Sequence, residues 1–327
     1  MFSRITSRYL ILKWGALSKR LLAKSTATNG KKQVATHDVS LSSALPWIGP
    51  ALILIILVVI WPVIELVRIS FTDISAAGSL LDFNGLTNYR ELLANPDIYP
   101  VARRTLLWVF GIVFFTVILS LPTAQLINQN FPGRKFVRWA LIFPWAASVV
   151  MTSMIWTWIL DAYSGELNLT LTQLGLISEP VDWVNNPGSS FYFLMAVAVF
   201  VSIPFTSFVL LAGLQSIPND IIEAASVDGA TNWQIYRRIK FPLLRNSLLI
   251  ATIINLINVF NSFPIIWIMT RGGPGYDTDT TTTLAYKLAF IESNMGQSTA
   301  LGVFNFIVIM MIVGLYLRVT KATRTEI

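Results

Sequence analysis

Six long apolar stretches alternate with polar segments along the chain. Each is close to the roughly 20 residues that an α-helix needs to cross the hydrocarbon core of a bilayer. They cover approximately residues 44–67, 105–127, 137–160, 191–214, 248–269 and 299–317. Pro122, Pro144, Pro204 and Pro264 lie inside or near the ends of these stretches, where neighbouring helices can satisfy freed backbone groups. The pattern predicts an all-α membrane protein with six transmembrane helices, some of them bent, in one domain over residues 44–320.

The overall composition supports this class. Of the 327 residues, 54% are hydrophobic and 13% are charged, whereas soluble domains carry roughly a quarter charged residues. The chain has no Cys, which excludes disulfides, a thiol nucleophile and Cys-ligated metal. The single histidine, His37, lies in a polar stretch and is interpreted as a solvated linker residue.

Residues 1–43 form a basic segment in which Asp38 is the one acid. Apolar residues recur at roughly helical spacing among its bases, which predicts an amphipathic helix on an anionic cytoplasmic membrane surface. A polar linker over residues 25–43 follows. The net charge of +7 is explained by this basic cytoplasmic face, and we expect no nucleic-acid partner.

The distribution of Lys and Arg predicts the orientation of the chain in its membrane. Most of the 24 bases and few of the 17 acids fall on one side if both termini, including the tail 321–327, are cytoplasmic. Arg103 and Arg104 disagree, because they precede the second stretch on the predicted outer side.

The six apolar stretches lack ionisable residues in their centres. Ion-coupled carriers usually place such residues at membrane depth, so this absence argues against that class and against a strongly charged substrate. We also find no catalytic or metal-binding arrangement of side chains in the spans, so enzyme chemistry within the membrane has no candidate residues.

Neutral polar side chains remain in the spans. Asn255, Asn258 and Ser262 share one helical stripe, with Asn261 and Phe263 beside them. Amides next to aromatic faces suit sugars, although the same residues can also join helices by hydrogen bonds. A weaker candidate patch surrounds Pro204 on the fourth span and contains Ser202, Phe205, Thr206 and Ser207, and Trp145 on the third span is weaker again.

The polar loop 214–244 carries more chemistry than a simple turn requires. Residues 218–220 can begin a helix, with the side-chain oxygens of Asn219 and Asp220 as caps, and Asp228-Gly229 can end it. Asn232 can cap a second helix. Ile221, Ala224 and Ala225 are predicted to share a small apolar face beside Glu223, which favours protein docking over a lipid-bound helix.

The loop also contains a recognisable signature. Glu223-Ala224-Ala225, Gly229, Ile239 and Pro242 reproduce the spacing EAA-x3-G-x9-I-x-x-P, with Phe241 where Leu is usual. This resembles the membrane subunits of bacterial ABC importers and implies the type I importer permease fold, with a coupling helix between spans 4 and 5.

Further motifs are similar to the carbohydrate-uptake branch, particularly its maltose-type larger permease. They include residues 85–89, Phe143-Pro144-Trp145, Asn261-Ser262-Phe263 and residues 270–274. The resemblance covers about residues 45–327. Residues 1–43 match nothing in it, and the extra early spans and large outer domain of the maltose protein are missing.

The resemblance implies an assembly in which this chain imports a sugar or oligosaccharide. The expected partners are a second permease subunit in a heterodimer, two ATPase subunits and an extracytoplasmic solute-binding protein. ATP and Mg²⁺ are expected on the ATPase, so this chain needs no cofactor. The implied coupling residues are Asp220, Ile221, Glu223, Ala224, Ala225, Asp228 and Gly229, and the implied solute contacts are Asn261 and Ser262, with Asn258 and Phe263 alongside. Phe205 is a further candidate contact from the patch on the fourth span.

Three alternatives stay open at this point. The cargo could be a polyol or a glycerophosphodiester. An ion-independent secondary carrier would need no partner, but it would leave the acidic, small-faced helix unexplained. A structural scaffold or insertase component would show no solute-dependent ATP hydrolysis.

Overall fold

In a computed structural model, the protein is described over residues 41–74 and 79–322, with the backbone alone at 41–44 and 319–322. The predicted amphipathic helix and most of its linker, and the last residues of the tail, lie outside the described residues. The elements in chain order are α1 (Leu41–Ile55), a π-helical turn (Ile56–Ile60), α2 (Trp61–Ser70), β1 (Thr72–Ile74), β2 (Leu80–Phe83), α3 (Thr87–Ala94), α4 (Ile98–Asn128), α5 (Arg134–Ala146), α6 (Val149–Ile159), α7 (Glu166–Gln173), α8 (Ser190–Gln215), α9 (Asn219–Val227), α10 (Asn232–Ile235), a second π-helical turn (Tyr236–Lys240), α11 (Phe241–Leu243), α12 (Arg245–Phe260), α13 (Pro264–Met269), α14 (Thr281–Phe290) and α15 (Met295–Ala322).

The chain divides into two compact units, residues 1–63 and 64–327. The described part of the first unit is helical, and Pro46 and Pro50 lie inside α1. The large apolar side chains described in this unit are exposed to the surroundings, as expected for a surface that faces lipid.

The core of the second unit lies between α4, α8 and α12. The indole of Trp108 is almost fully buried there, and its Nε1 donates a hydrogen bond of 3.2 Å to the backbone oxygen of Val259. Ser120 joins α4 to α8 by donating from its hydroxyl to the backbone oxygen of Ile203 at 3.2 Å. Polar groups therefore fix the register of helices whose contacts are otherwise apolar.

Four helices in the described residues are long and apolar enough to cross a membrane, and the number rises to six if each of two bent pairs counts as one span. The whole helices are Leu45–Ser70, Ile98–Asn128, Ser190–Gln215 and Met295–Arg318. Helices α5 and α6 meet at 99°, and the segment Asn232–Leu243 meets α12 at 60°. The predicted mostly helical, multi-span architecture is thus confirmed, and if each bent pair is one span, two of the six spans are not single straight helices.

The third and fifth predicted stretches are both interrupted. In 137–160, Ala147 and Ser148 are extended between α5 and α6. In 248–269, the helix stops at Phe260 and restarts at Pro264, the first residue of α13. Proline lacks a backbone N–H and fits the first turn of a helix, so the second half of the fifth stretch begins as a new helix.

The segments between spans hold more regular structure than the sequence predicts. Strands β1 and β2 pair antiparallel, which the all-α prediction does not include. The buried Asn88 on α3 holds this region together, because its Nδ2 donates to the backbone oxygens of Ser70 and Thr72 at 3.0 Å each. Helix α14 lies in the loop 270–298 and packs against α15.

Candidate functional site

A cavity of about 500 Å³ opens where α12 breaks. Its wall comes from α8, α12, the start of α13, the break between these last two helices and the α5–α6 bend. The lining residues are Trp145, Ala147, Val149, Ala198, Val201, Ser202, Phe205, Asn255, Asn258, Val259, Asn261, Ser262, Pro264 and Ile265. The fold therefore brings Trp145 and Phe205, from two other predicted spans, next to Asn258, Asn261 and Ser262, and all five are candidates from the sequence.

The asparagines of this cavity have different surroundings. Asn258 is exposed, and its side chain has no hydrogen-bond partner among the described residues. Asn261 donates from its Nδ2 to the backbone oxygen of Ile257 at 2.9 Å, which orients the side chain at the point where the helix ends. A bound solute can therefore use both hydrogen-bonding groups of Asn258 and the side-chain oxygen of Asn261.

Two other members of the predicted patch have structural contacts. Asn255 is buried and donates from Nδ2 to the hydroxyl of Thr206 and the backbone oxygen of Ala251. Phe263 lies outside the cavity lining. Its ring contacts Trp267 and Tyr286, with ring centroids 5.4 and 4.9 Å away, respectively. The ring therefore packs toward α14, and a solute contact by Phe263 stays a prediction.

The lining of the cavity contains no Asp, Glu, Lys, Arg or His among the described residues. The described residues as a whole also contain no group of three or more His, Cys, Asp or Glu side chains that could hold a metal ion. The chemistry available to a solute is hydrogen bonding by amides and hydroxyls, together with contact to the rings of Phe205 and Trp145.

A second candidate site is helix α9 in the loop that carries the EAA signature. Gly229 has φ +80° and ends the helix. Its backbone N–H donates to the oxygen of Ser226, and the N–H of Ala230 donates to the oxygen of Ala225. This pair of bonds is a Schellman motif, in which glycine supplies the left-handed residue.

The caps of both loop helices differ from the sequence predictions. Pro218 occupies the N-cap position of α9, where no side chain caps the helix, so Asn219 and Asp220 lie inside the helix instead. Helix α10 is capped by Thr231, which forms a capping box with Gln234, rather than by Asn232. Proline fits the entry because its extended backbone precedes the first turn.

One face of α9 points away from the protein. Asp220, Ile221, Glu223, Ala224 and Asp228 are exposed. Val227, which the sequence analysis missed, is 88% exposed and extends the i, i+3 series from Ile221. Ala225 is half-buried, and the half-buried Ile222 packs against the cluster formed by residues such as Leu214 and Leu244. Ala225 therefore lies nearer the protein body than predicted.

A charged cluster in loop 270–298 was also missed. The carboxylate of Asp279 is fully buried and forms an ion pair with Lys287. Arg104 reaches the same loop, donating to the backbone oxygen of Tyr276 at 2.6 Å and to Asp277 at 3.2 Å. Burial raises the pKa of Asp279 to about 6, although the hydrogen bond from Lys287 opposes this shift. No local sequence pattern reveals the pair, since its members are eight residues apart across a turn.

The broken apolar spans, the uncharged cavity and the exposed EAA helix define the class of ABC importer permease subunits. The chain belongs to the family described as the binding-protein-dependent transport system inner membrane component, which it matches over residues 98–323. It is thus a multi-pass inner membrane protein and a permease subunit, not the ATPase.

Similarities to individual proteins agree with this assignment. A probable ABC transporter permease protein of Brucella suis is 39% identical over 277 residues, 85% of this chain and 95% of the relative. The trehalose/maltose transport system permease protein MalF of Thermococcus litoralis is 31% identical over 74% of this chain and 81% of its own length. A solved bacterial ABC transporter involved in the import of the acidic polysaccharide alginate matches with a TM-score of 0.75 at 24% identity, over 84% of this chain and 93% of that chain. The resemblance to the sugar-uptake branch of importer permeases is thereby confirmed.

Proposed function

We propose that this chain is the permease subunit of an ATP-driven importer and that it conducts a neutral sugar or oligosaccharide through the cavity at the break in α12. The cavity carries this proposal. Its wall offers the free amide of Asn258, the oriented amide of Asn261 and the ring of Phe205, without a charged side chain among the described residues. Sugars present hydroxyls and apolar ring faces, and both find partners in such a wall.

The named cargo of a relative supports the sugar class. The relative from Thermococcus litoralis is a trehalose/maltose permease and aligns with most of this chain. A phosphodiester cargo would favour a base in the pathway, and none lines the described cavity. An ion-coupled carrier would favour an ionisable group at the same depth. The neutral-sugar proposal needs neither.

We infer that α9 is the coupling helix that docks on an ATPase subunit. Its outward face combines the apolar side chains of Ile221 and Val227 with the carboxylate of Glu223. The Schellman motif at Gly229 ends the helix sharply, and Ile222 anchors it to the protein body. A helix fixed on one side and exposed on the other can transmit a partner's movement to the spans.

The proposed assembly contains a second permease subunit, two ATPase subunits that bind ATP and Mg²⁺, and an extracytoplasmic solute-binding protein. In it, both termini of this chain are cytoplasmic. The contact of Arg104 with Tyr276 and Asp277 supports this orientation, because it joins two segments that the charge distribution places on the same outer side. It also gives one of the two outlying arginines a local carboxylate partner.

The test uses the intact importer in proteoliposomes with its binding protein. ATP hydrolysis is measured across a panel of sugars, polyols and a glycerophosphodiester, and we expect stimulation by a neutral sugar. For that sugar, Asn258→Ala combined with Asn261→Ala should raise the KM of uptake by about tenfold or more, the effect of removing hydrogen bonds that a polar site is built to make. Stimulation only by a charged solute, or an unchanged KM in the double variant, would refute the proposal.

A further inference from the structure

Two cavities are lined by residues of the α4–α8 pair and share one lining side chain. The first, of about 430 Å³, is polar and lies at the start of both helices, where it is lined by Arg103, Arg104, Leu107, Asn186, Gly188, Ser190, Phe191, Tyr192, Asp277 and Thr278. The second, of about 480 Å³, is apolar and is lined by Phe115, Leu119, Tyr192, Met195, Ala196, Val199, Phe200 and Ile203. Tyr192 lines both, so the polar cavity and the apolar one adjoin at this side chain.

Arg103 carries the unbalanced charge of the polar cavity. Its neighbour Arg104 is paired with Asp277, the one carboxylate that lines this cavity. Arg103 is exposed and has no ion pair or hydrogen bond with any residue that the structure describes. The cavity therefore has a net charge of +1 and, with the amide of Asn186 and the hydroxyl of Tyr192, offers donors that suit an anionic oxygen.

The apolar cavity has the length of an acyl chain in one leaflet. Both helices run away from the polar cavity in the same direction, since each begins beside it. From Tyr192 to Ile203 the helix rises by about 16 Å at its ordinary rise per residue. Half of the hydrocarbon core is about 15 Å thick. Leu119, Phe115 and Phe200 are exposed along this length.

We propose that this pair of cavities binds a phospholipid, with the phosphate on Arg103 and one acyl chain in the groove between α4 and α8. On the orientation proposed above, the lipid belongs to the outer leaflet. The site explains the outer-side position of Arg103, which disagrees with the predicted cytoplasmic location of most bases. A lipid phosphate beside Arg103 supplies the opposite charge that the protein does not. The inference depends on the membrane location that the family shows and not on the identity of the cargo.

The first experiment measures lipid retention by the intact importer complex in native mass spectrometry. The complex is exchanged into nanodiscs that contain phosphatidylglycerol, and a parallel sample contains diacylglycerol, which has the acyl chains but no phosphate. We expect the complex to retain phosphatidylglycerol and to lose diacylglycerol. Arg103→Gln should lower the retained fraction about tenfold, the loss expected for one charge-assisted contact. The matched control is Arg90→Gln, an exposed arginine on α3 outside both cavities, which should retain the lipid.

A second pair of variants tests the groove. Ala196 is exposed and lines the groove, whereas Ala212 is exposed further along the same helix and lies outside it. Ala196→Phe should fill the groove and lower phosphatidylglycerol retention at least fivefold. This loss is on the order of the one expected when Arg103→Gln removes the headgroup contact. Ala212→Phe should have no effect. Because all four positions are exposed, the variants should fold, and their thermal unfolding midpoints check this.

Three results would overturn the proposal. Equal retention of phosphatidylglycerol by the Arg103 and Arg90 variants would remove the headgroup site. Equal retention of phosphatidylglycerol and diacylglycerol by the unmodified complex would show that the phosphate is not recognised. If Arg103→Gln weakened docking of the solute-binding protein and left lipid retention unchanged, the polar cavity would be a protein contact instead.

Discussion

The side-chain amide of Asn255 donates a hydrogen bond of 2.8 Å to the hydroxyl of Thr206, joining α12 to α8 beside the proposed sugar cavity. Asn258 lies one turn further along α12 and has no such partner among the described residues. Two asparagines of one helical stripe thus have different surroundings. The first joins helices, and the second is free to meet a solute.

This difference predicts opposite effects for two alanine variants. Asn255→Ala should lower the stability of the complex by about 1 kcal/mol, as for other interhelical hydrogen bonds in membranes, and leave the KM for sugar nearly unchanged. Asn258→Ala should raise KM and leave the stability unchanged. Thermal unfolding of the purified complex and concentration-dependent uptake measure the two quantities. A higher KM with an unchanged unfolding midpoint in Asn255→Ala would contradict the assignment.

Reversing the charge of Glu223 should uncouple the importer. Its carboxylate is exposed on α9, and we expect it to meet a base on the ATPase, so that Glu223→Lys places like charges together at a cost of several kcal/mol. Sugar-stimulated ATP hydrolysis should fall about tenfold or more. Insertion of the variant into the membrane should be normal. The control is Gln215→Lys, at the exposed end of α8, and the importer complex that contains it should show ordinary sugar-stimulated ATP hydrolysis. Normal stimulation in Glu223→Lys would refute the coupling role.

Gly229 offers a test that depends on backbone conformation. Its φ of +80° is unfavourable for side chains, although the space around its Cβ position is open. Gly229→Val should therefore destabilise the end of α9 by about 1–2 kcal/mol, while Gly229→Asn should be tolerated better because asparagine adopts left-handed conformations more readily. Hydrogen exchange of residues 219–230 should show lost protection in the valine variant, together with weaker coupling. If the valine and asparagine variants lost protection and coupling to the same extent, backbone conformation at residue 229 would not be the cause of the loss.

The buried pair of Asp279 and Lys287 predicts a pH dependence of stability. Burial raises the pKa of Asp279 from 3.8 to about 6, so the folded protein binds this proton more tightly than the unfolded chain. This contribution is fully present below pH 3.8 and is lost as the pH rises through about 6. The thermal unfolding midpoint should include this downward component between pH 4.5 and 7.

A double variant isolates the effect. Asp279→Asn alone would leave the ammonium of Lys287 buried without its partner, which costs about 3–5 kcal/mol. Asp279→Asn with Lys287→Met removes both charges, and its midpoint should change less with pH than that of the unmodified complex. Since every other titrating group is shared, parallel pH profiles for the two proteins would exclude Asp279 as the source.

Much of this protein could be predicted from local sequence. A run of about 20 apolar residues predicts a membrane helix. Inside the bilayer there is no water to bond the backbone N–H and C=O groups, and a helix pairs them within the segment. The predicted stretch 105–127 lies within Ile98–Asn128, and 191–214 lies within Ser190–Gln215. The spacing of the EAA signature similarly indicated the family. Pro144 and Pro264 gave a sequence signal for the breaks in the third and fifth stretches. The size of the bend between α5 and α6, 99°, had no such signal.

Side-chain surroundings required the tertiary structure. Helical periodicity placed Asn255, Asn258 and Ser262 on one stripe, but the contact with Thr206 depends on a helix about 50 residues away. The sequence also contained no sign that the ring of Phe263, a predicted solute contact, packs on Trp267 and Tyr286.

The sequence by itself therefore determined that the chain spans a membrane, carries no charge in the centre of its spans and presents a helix with the EAA signature between spans 4 and 5. These properties follow from composition and short-range spacing. The tertiary structure decided which amides have no hydrogen-bond partner among the described residues, which face of α9 is exposed, and that Asp279 pairs with Lys287. Those outcomes depend on packing between distant segments, because a buried polar group takes whichever partner the fold brings within hydrogen-bond distance.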